Sequence, residues 1–110
     1  MGLDLTLMPF FDLRKGCCFS HALIPCERGR HNFKEIDAIP AVDVDDAFIS
    51  FMGTNELAGS PCYGPTVETP YGERLRWVRA ENLKPIIRDG PEGAFLNALE
   101  DAHKVALYWH

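Results

Sequence analysis

Apolar and polar residues alternate with period two near both ends of this chain, and that alternation most constrains its fold. Residues 3–8 run Leu-Asp-Leu-Thr-Leu-Met, so Leu3, Leu5 and Leu7 would lie on the buried face of a β-strand. Further strands are predicted over the ranges 17–24, 75–79 and 104–109. A strand over the last of these ranges would also hold the C-terminal end in the sheet.

Two features place these predicted strands relative to one another. A short turn over 12–16 separates the first strand from the second, which predicts an antiparallel hairpin. Pro9 has no N–H to donate to a neighbouring strand, so we expect it to end the first strand or to lie on a sheet edge. The range 104–109 could also extend a preceding helix, but its β-branched and aromatic residues favour a strand.

Three short helices are predicted between the strands. Over 31–39, Phe33 and Ile36 lie on one stripe, and Pro40 ends the helix because it disfavours the α conformation in the residue before it. The range 80–85 predicts a single helical turn. Pro91 stands in the first turn of a third helix, where its missing N–H costs nothing. The predicted buried stripe of this helix is Phe95, Leu96, Leu99 and Ala102.

The range 41–52 fits more than one structure. Residues 41–46 could form a strand, or a loop in which an aspartate caps a following helix. Apolar residues at i, i+3 and i+4 favour a short helix over 47–52.

These elements predict an α+β fold. It would be a small, mostly antiparallel sheet of three or four strands, with two or three short helices on one face. The 110 residues are 46% hydrophobic and 25% charged, which is typical of a globular domain, and the range 1–110 is predicted to form one domain.

Charge and hydropathy restrict the partners and the compartment. The formal net charge is −5, which argues against binding nucleic acid through its phosphates, because that requires an excess of lysine and arginine. No basic segment precedes an apolar run at the N-terminus, and no apolar run approaches the roughly 20 residues of a membrane span. We therefore expect a cytoplasmic protein with no membrane contact. The four cysteines are expected to be free thiols.

The motifs that suggest catalysis or metal binding are weak. A zinc site is suggested by clustered ligand types, namely Cys17, Cys18, His21, Cys26 and His31. On a strand, however, the first two point to opposite faces, and Cys17 lies about 13 Å from His21. We therefore predict buried cysteines and no cofactor. Cys62 with a histidine could form a nucleophile pair, but no spacing supports it. Without a specific catalytic motif, a non-enzyme is favoured.

The range 59–78 is the part of the sequence most suggestive of a binding surface. Residues 60–72 carry three prolines and two glycines, which predicts a long irregular loop. Aromatic and arginine side chains together are typical of protein hot spots. The predicted partner-binding residues are Tyr63, Tyr71, Glu73, Arg74 and Arg76, with Trp77 as a further anchor. The alternative is a solvated arginine face, including Arg79, on an edge strand whose Trp77 lies in the core.

Several segments resemble one group of proteins. The opening Met1–Phe10, the segments Cys62–Gly64 and Pro70–Glu73, and the final Leu107–Trp109 are similar to small uncharacterised proteins of bacteriophages and prophages. The resemblance covers most of the chain and implies a bacterial host cytoplasm. It implies no activity, and it carries over no catalytic residue.

Three functional hypotheses follow. The first is a phage accessory protein that binds a host protein without catalysis, for example as an anti-defence inhibitor of a CRISPR effector. The second is a small-molecule or nucleotide binder, or a minor enzyme, with residues 59–74 as a lid. The third is a structural homodimer formed across an unpaired strand edge.

Overall fold

The strand β1 (Leu5–Asp12) is the longest in the sheet, and neighbours pair along both of its edges. The computed structural model describes residues 4–12, 17–20, 22–26, 29, 31–44, 47–49 and 72–110. The other strands in these ranges are β2 (Cys17–Ser20), β3 (Ile24–Cys26), β4 (Val42–Asp43), β5 (Ala47–Ile49), β6 (Arg76–Arg79) and β7 (Lys104–Trp109). Five strands are antiparallel in the order β3-β1-β7-β6-β4, β2 pairs with the end of β1, and β5 runs parallel to β2.

The strand β7 lies at the centre of the five antiparallel strands. Its ladder with β1 runs from Leu5 opposite Trp109 to Pro9 opposite Val105, and its other edge pairs with β6. Because β7 has neighbours on both edges and contributes to cores on both faces, Val105 and Ala106 are both fully buried although they point to opposite faces. The strand predicted over 104–109 is confirmed.

Three helices connect the strands in the described part of the chain: α1 (Phe33–Asp37), α2 (Ala80–Leu83) and α3 (Gly90–Ala98). The Asn32 side chain caps α1 by accepting a hydrogen bond from the backbone N–H of Glu35, at 3.2 Å. A proline stands in the first turn of α3, as predicted. The longest of these helices has nine residues, and none of them is long and apolar enough to cross a membrane.

Apolar side chains pack on both faces of the sheet. All three helices contribute to the core on one face, called here the helix face, whose buried residues include Leu5, Leu7, Ile36, Leu83, Leu96 and Val105. The buried residues of the second cluster, on the opposite face, are Met8, Phe10, Val44, Leu75 and Ala106. The predicted α+β class, with a mostly antiparallel sheet and helices on one face, is therefore confirmed, and β1 is buried on both sides.

Strand β1 does not end at Pro9, and Pro9 is not on an edge of the sheet. Residues 5–7 pair with β3 and residues 10–12 pair with β2, so β1 changes partner on that edge at Pro9. Such an interruption of the ladder is where a sheet tolerates proline. The hairpin of β1 and β2 is confirmed, but the range 17–24 forms the separate strands β2 and β3 rather than one continuous strand.

Two further local predictions are wrong. Residues 47–49 form β5 instead of a helix, because they pair in parallel with β2, a contact that outweighs the local helical spacing. Helix α3 ends at Ala98, and Leu99 has an extended backbone with ψ 150°. The predicted stripe therefore does not continue to Ala102, which is exposed. The sheet is also wider than predicted, since strands of two or three residues are too short to show alternation.

Candidate functional site

Strand β6 sends the side chains of Arg76 and Trp77 to opposite faces of the sheet. Arg76 stands opposite Leu107 and Val78 opposite Val105, on the helix face. Leu75 and Trp77 belong to the cluster on the other face. A basic and aromatic patch that joins Arg76 to Trp77 is therefore wrong, because neighbouring residues of a strand point in opposite directions. The alternative is confirmed in that Trp77 packs against the core and Arg76 is exposed, but β6 is not an edge strand, since it pairs with both β4 and β7.

Three of the predicted partner-binding residues lie together on the helix face. Glu73, Arg74 and Arg76 line a groove between the end of α1 and the neighbouring strands β6 and β7. The other two, Tyr63 and Tyr71, lie outside the described residues, as does most of the predicted loop over 60–72.

The groove has two connected parts that share Asp37, Glu73 and Trp109. The part nearer the strands, called here the basic end, has a volume of about 50 Å³ and is also lined by Ile39, Ala41, Arg74, Arg76 and Leu107. The part nearer α1, called here the aromatic end, has a volume of about 210 Å³ and is also lined by Phe33 and Lys34. Both parts are lined by apolar and charged residues together.

At the aromatic end, two rings form a wall. The rings of Phe33 and Trp109 meet edge to face, with centroids 5.6 Å apart and planes at 76°. That geometry is favourable for aromatic pairs and fixes both rings against the core. Asp37, Glu73 and Lys34 line the same part of the groove as these two rings. A ring surface beside two carboxylates is chemically suited to a cation.

At the basic end, both arginines have contacts within the chain. An Nη of Arg74 donates a hydrogen bond at 2.8 Å to the backbone carbonyl of Val44, the residue that follows β4. Nε of Arg76 lies 3.6 Å from Oδ1 of Asp43, and these side chains are 64% and 67% exposed. An exposed pair of this kind contributes about 0–1 kcal/mol, so it can exchange for a partner's carboxylate at little cost.

A buried polar pair positions α1, which forms one wall of the groove. Nε2 of His31 lies 3.1 Å from Oε1 of Glu92, and the two side chains are only 2% and 6% exposed. The contact joins the residue before the Asn32 cap of α1 to the first turn of α3. Because the two residues are 61 positions apart, no local pattern in the sequence could reveal the pair.

The described residues give no support to a nucleophilic cysteine or to a metal site. Burial, and secondarily the charge of Glu92, raise the pKa of the Cys26 thiol to about 12, so this cysteine is a poor nucleophile at neutral pH. Within the described ranges, no group of three or more His, Cys, Asp or Glu residues could hold a metal ion. The side chains of Cys17, Cys18, His21 and Cys62 lie outside those ranges.

Trp77 is placed where it cannot join the groove. On the face opposite the helices, its ring lies 4.7 Å from Nζ of Lys104 and 5.5 Å from Cζ of Arg79, and the Phe10 ring meets it edge to face at 6.4 Å. These contacts make Trp77 part of the second apolar cluster. The tryptophan that lines the groove is Trp109, which the strand alternation over 104–109 places on the helix face.

Comparison with known proteins gives no identification, since no protein-family model, curated protein or solved structure matches this chain.

Proposed function

We propose that this chain is a non-enzymatic binding module that engages a partner protein through the groove on its helix face. One observation carries the proposal: Glu73, Arg74 and Arg76, selected from sequence as binding residues, line the same groove as the aromatic pair of Phe33 and Trp109. Aromatic and arginine side chains surrounded by a polar rim are typical of protein hot spots.

The dimensions of the groove favour a protein partner over a metabolite. Pockets for small molecules usually have volumes of about 300–1,000 Å³. The two parts of this groove measure about 50 and 210 Å³. These sizes suit single side chains of a partner, each entering one part of the groove. No small-molecule or nucleotide function is therefore proposed from this site.

The resemblance of the sequence to phage and prophage proteins supports a partner in a bacterial host. We propose that the partner is a host protein, that the chain acts in the host cytoplasm, and that a component of host defence such as a CRISPR effector is the target to test first. Occupying a surface on such a protein would require no catalysis.

The first experiment is capture from host lysate with a matched pair of charge reversals. Glu73→Arg inverts a charge on the groove. Glu100→Arg makes the same change at an exposed position beside the start of β7, at the opposite end of that strand from Trp109. We expect one polypeptide to be retained by the wild type and Glu100→Arg and lost with Glu73→Arg. Equal retention by all three would refute a role for the groove.

The second experiment tests the anti-defence assignment separately. The chain is expressed in a host whose CRISPR system targets an infecting phage, and plating efficiency is measured with the wild type, Glu73→Arg and Glu100→Arg. We expect recovery of plaques with the wild type and the control, and little recovery with Glu73→Arg. No recovery with any of them would remove the anti-defence assignment. A partner captured through the groove in the first experiment would still support the proposed binding function. Light scattering on the same proteins reports whether the captured partner is instead a second copy of this chain.

A further inference from the structure

The charges along the groove are unequally distributed. Among the described residues, the aromatic end is lined by two acidic residues, Asp37 and Glu73, and one basic residue, Lys34. The described lining of the basic end has the same two acidic residues together with Arg74 and Arg76. A partner segment lying in the groove would therefore meet a negative, ring-lined end and a more positive end, which sets both its charge pattern and its direction.

We propose that the aromatic end of the groove binds an arginine side chain of the partner protein. This rests on the proposed function and adds the chemistry of the partner to it. A guanidinium stacks on aromatic rings and also forms paired hydrogen bonds with carboxylates. The rings of Phe33 and Trp109, together with the carboxylates of Asp37 and Glu73, offer both kinds of contact around one cavity.

The size of the cavity fits this occupant. At about 210 Å³ it accommodates one long side chain, and it is smaller than the usual pocket for a whole metabolite. Its edge-to-face ring pair is held against the helix-face core, so the wall exists before the ligand arrives. A site formed in advance loses less conformational entropy on binding.

Lys34 carries the same charge as the proposed arginine ligand, and this gives the proposal a further test. It lies on the exposed surface of α1, three residues before Asp37, close enough to compete with an incoming cation for that carboxylate. Removing its charge should therefore strengthen binding of an arginine side chain. A merely apolar pocket would show no such effect.

The test is an NMR titration of the purified chain with acetyl-Gly-Arg-Gly-amide, observed at the indole N–H of Trp109. The chain has two tryptophans, so a Trp77→Phe variant assigns the signal. The matched control is the citrulline peptide, which has nearly the same shape without the charge. We expect saturable shifts at Trp109 with the arginine peptide, and binding of the citrulline peptide that is weaker by about tenfold or more.

Variants complete the test. Asp37→Asn combined with Glu73→Gln changes only exposed, nearly isosteric groups and should weaken the arginine peptide by about tenfold, whereas Lys34→Gln should strengthen it. Three results would overturn the assignment: equal binding of the citrulline and arginine peptides, no shift at Trp109, or equally tight binding of a third peptide, acetyl-Gly-Lys-Gly-amide. If a partner is still captured through the groove but the arginine peptide does not bind, only the assignment of arginine as the ligand is refuted. If the arginine peptide binds but no partner is captured through the groove, the proposed function fails.

Discussion

The buried contact between His31 and Glu92 allows the sharpest test of how this fold supports its groove. We expect Glu92→Ala to destabilise the protein by about 1–3 kcal/mol, because it leaves the imidazole of His31 buried without its acceptor. Glu92→Gln keeps a carbonyl oxygen at the same position. This variant should therefore lower the free energy of unfolding by less, about 1 kcal/mol or below. Most of that loss comes from removing a negative charge in the first turn of α3.

The expected loss of stability follows from the burial of the His31 and Glu92 side chains. Both side chains are more than nine-tenths covered, so water cannot replace the lost partner. For a chain of 110 residues, a loss of 2 kcal/mol corresponds to a melting temperature lower by about 9 °C. Replacing both residues by leucine removes both polar groups. The double variant should therefore be less destabilised than the two single leucine variants combined, with a coupling of about 1 kcal/mol.

The assay is urea unfolding followed by tryptophan fluorescence, for the wild type, His31→Leu, Glu92→Leu and the double variant. A coupling free energy near zero would refute the contact as a stabilising pair. Because His31 precedes the cap of α1, we also expect Glu92→Ala to weaken partner capture through the groove more than Glu92→Gln does. Equal capture by both would show that α1 holds its place without the pair.

Other predictions concern the core and the thiol. Leu96→Ala should cost about 2–5 kcal/mol, since Leu96 is fully buried, while Phe95→Ala at a 37%-exposed site should cost less than half as much; urea midpoints measure both. Gly93→Ala should destabilise the fold by about 1–3 kcal/mol, because a Cβ there would lie 2.4 Å from the carbonyl of Arg88; equal melting temperatures of variant and wild type would contradict this. The Cys26 thiol, whose pKa is raised from 9.0 to about 12, should resist iodoacetamide at pH 8 until urea unfolds the chain, as mass-spectrometric mapping would show. Between pH 9 and 12 the folded state keeps that proton longer than the unfolded state, so stability should fall with rising pH more in the wild type than in Cys26→Ala.

Strand alternation was sufficient to predict much of this fold. The ranges 75–79 and 104–109 show period two because each strand needs a distinct set of residues for each face, and β6 and β7 follow them closely. The helices α1 and α3 were also predicted, because the apolar stripe of α1 and the first-turn proline of α3 are local features of the sequence.

At the candidate site, the same alternation supports the interpretation in which Trp77 lies in the core and Arg76 on the other face. The patch that groups Arg76 with Trp77 rests on composition instead of on strand geometry. Glu73, Arg74 and Arg76 were found because arginine and aromatic residues are common in binding surfaces. Lys34 and Asp37 were missed because they lie on α1, far from those residues in the sequence.

The sequence by itself determined the class of fold, the strand over 104–109 and the short helices, all of which arise from periodicity and local signals. Only the tertiary structure decided which elements meet. Pairing with β2 made residues 47–49 a strand, the change of partner along β1 accommodated Pro9, and packing brought Trp109 beside Phe33. Those contacts join residues far apart in the chain, and their free energy comes from burial and pairing that no local sequence pattern records.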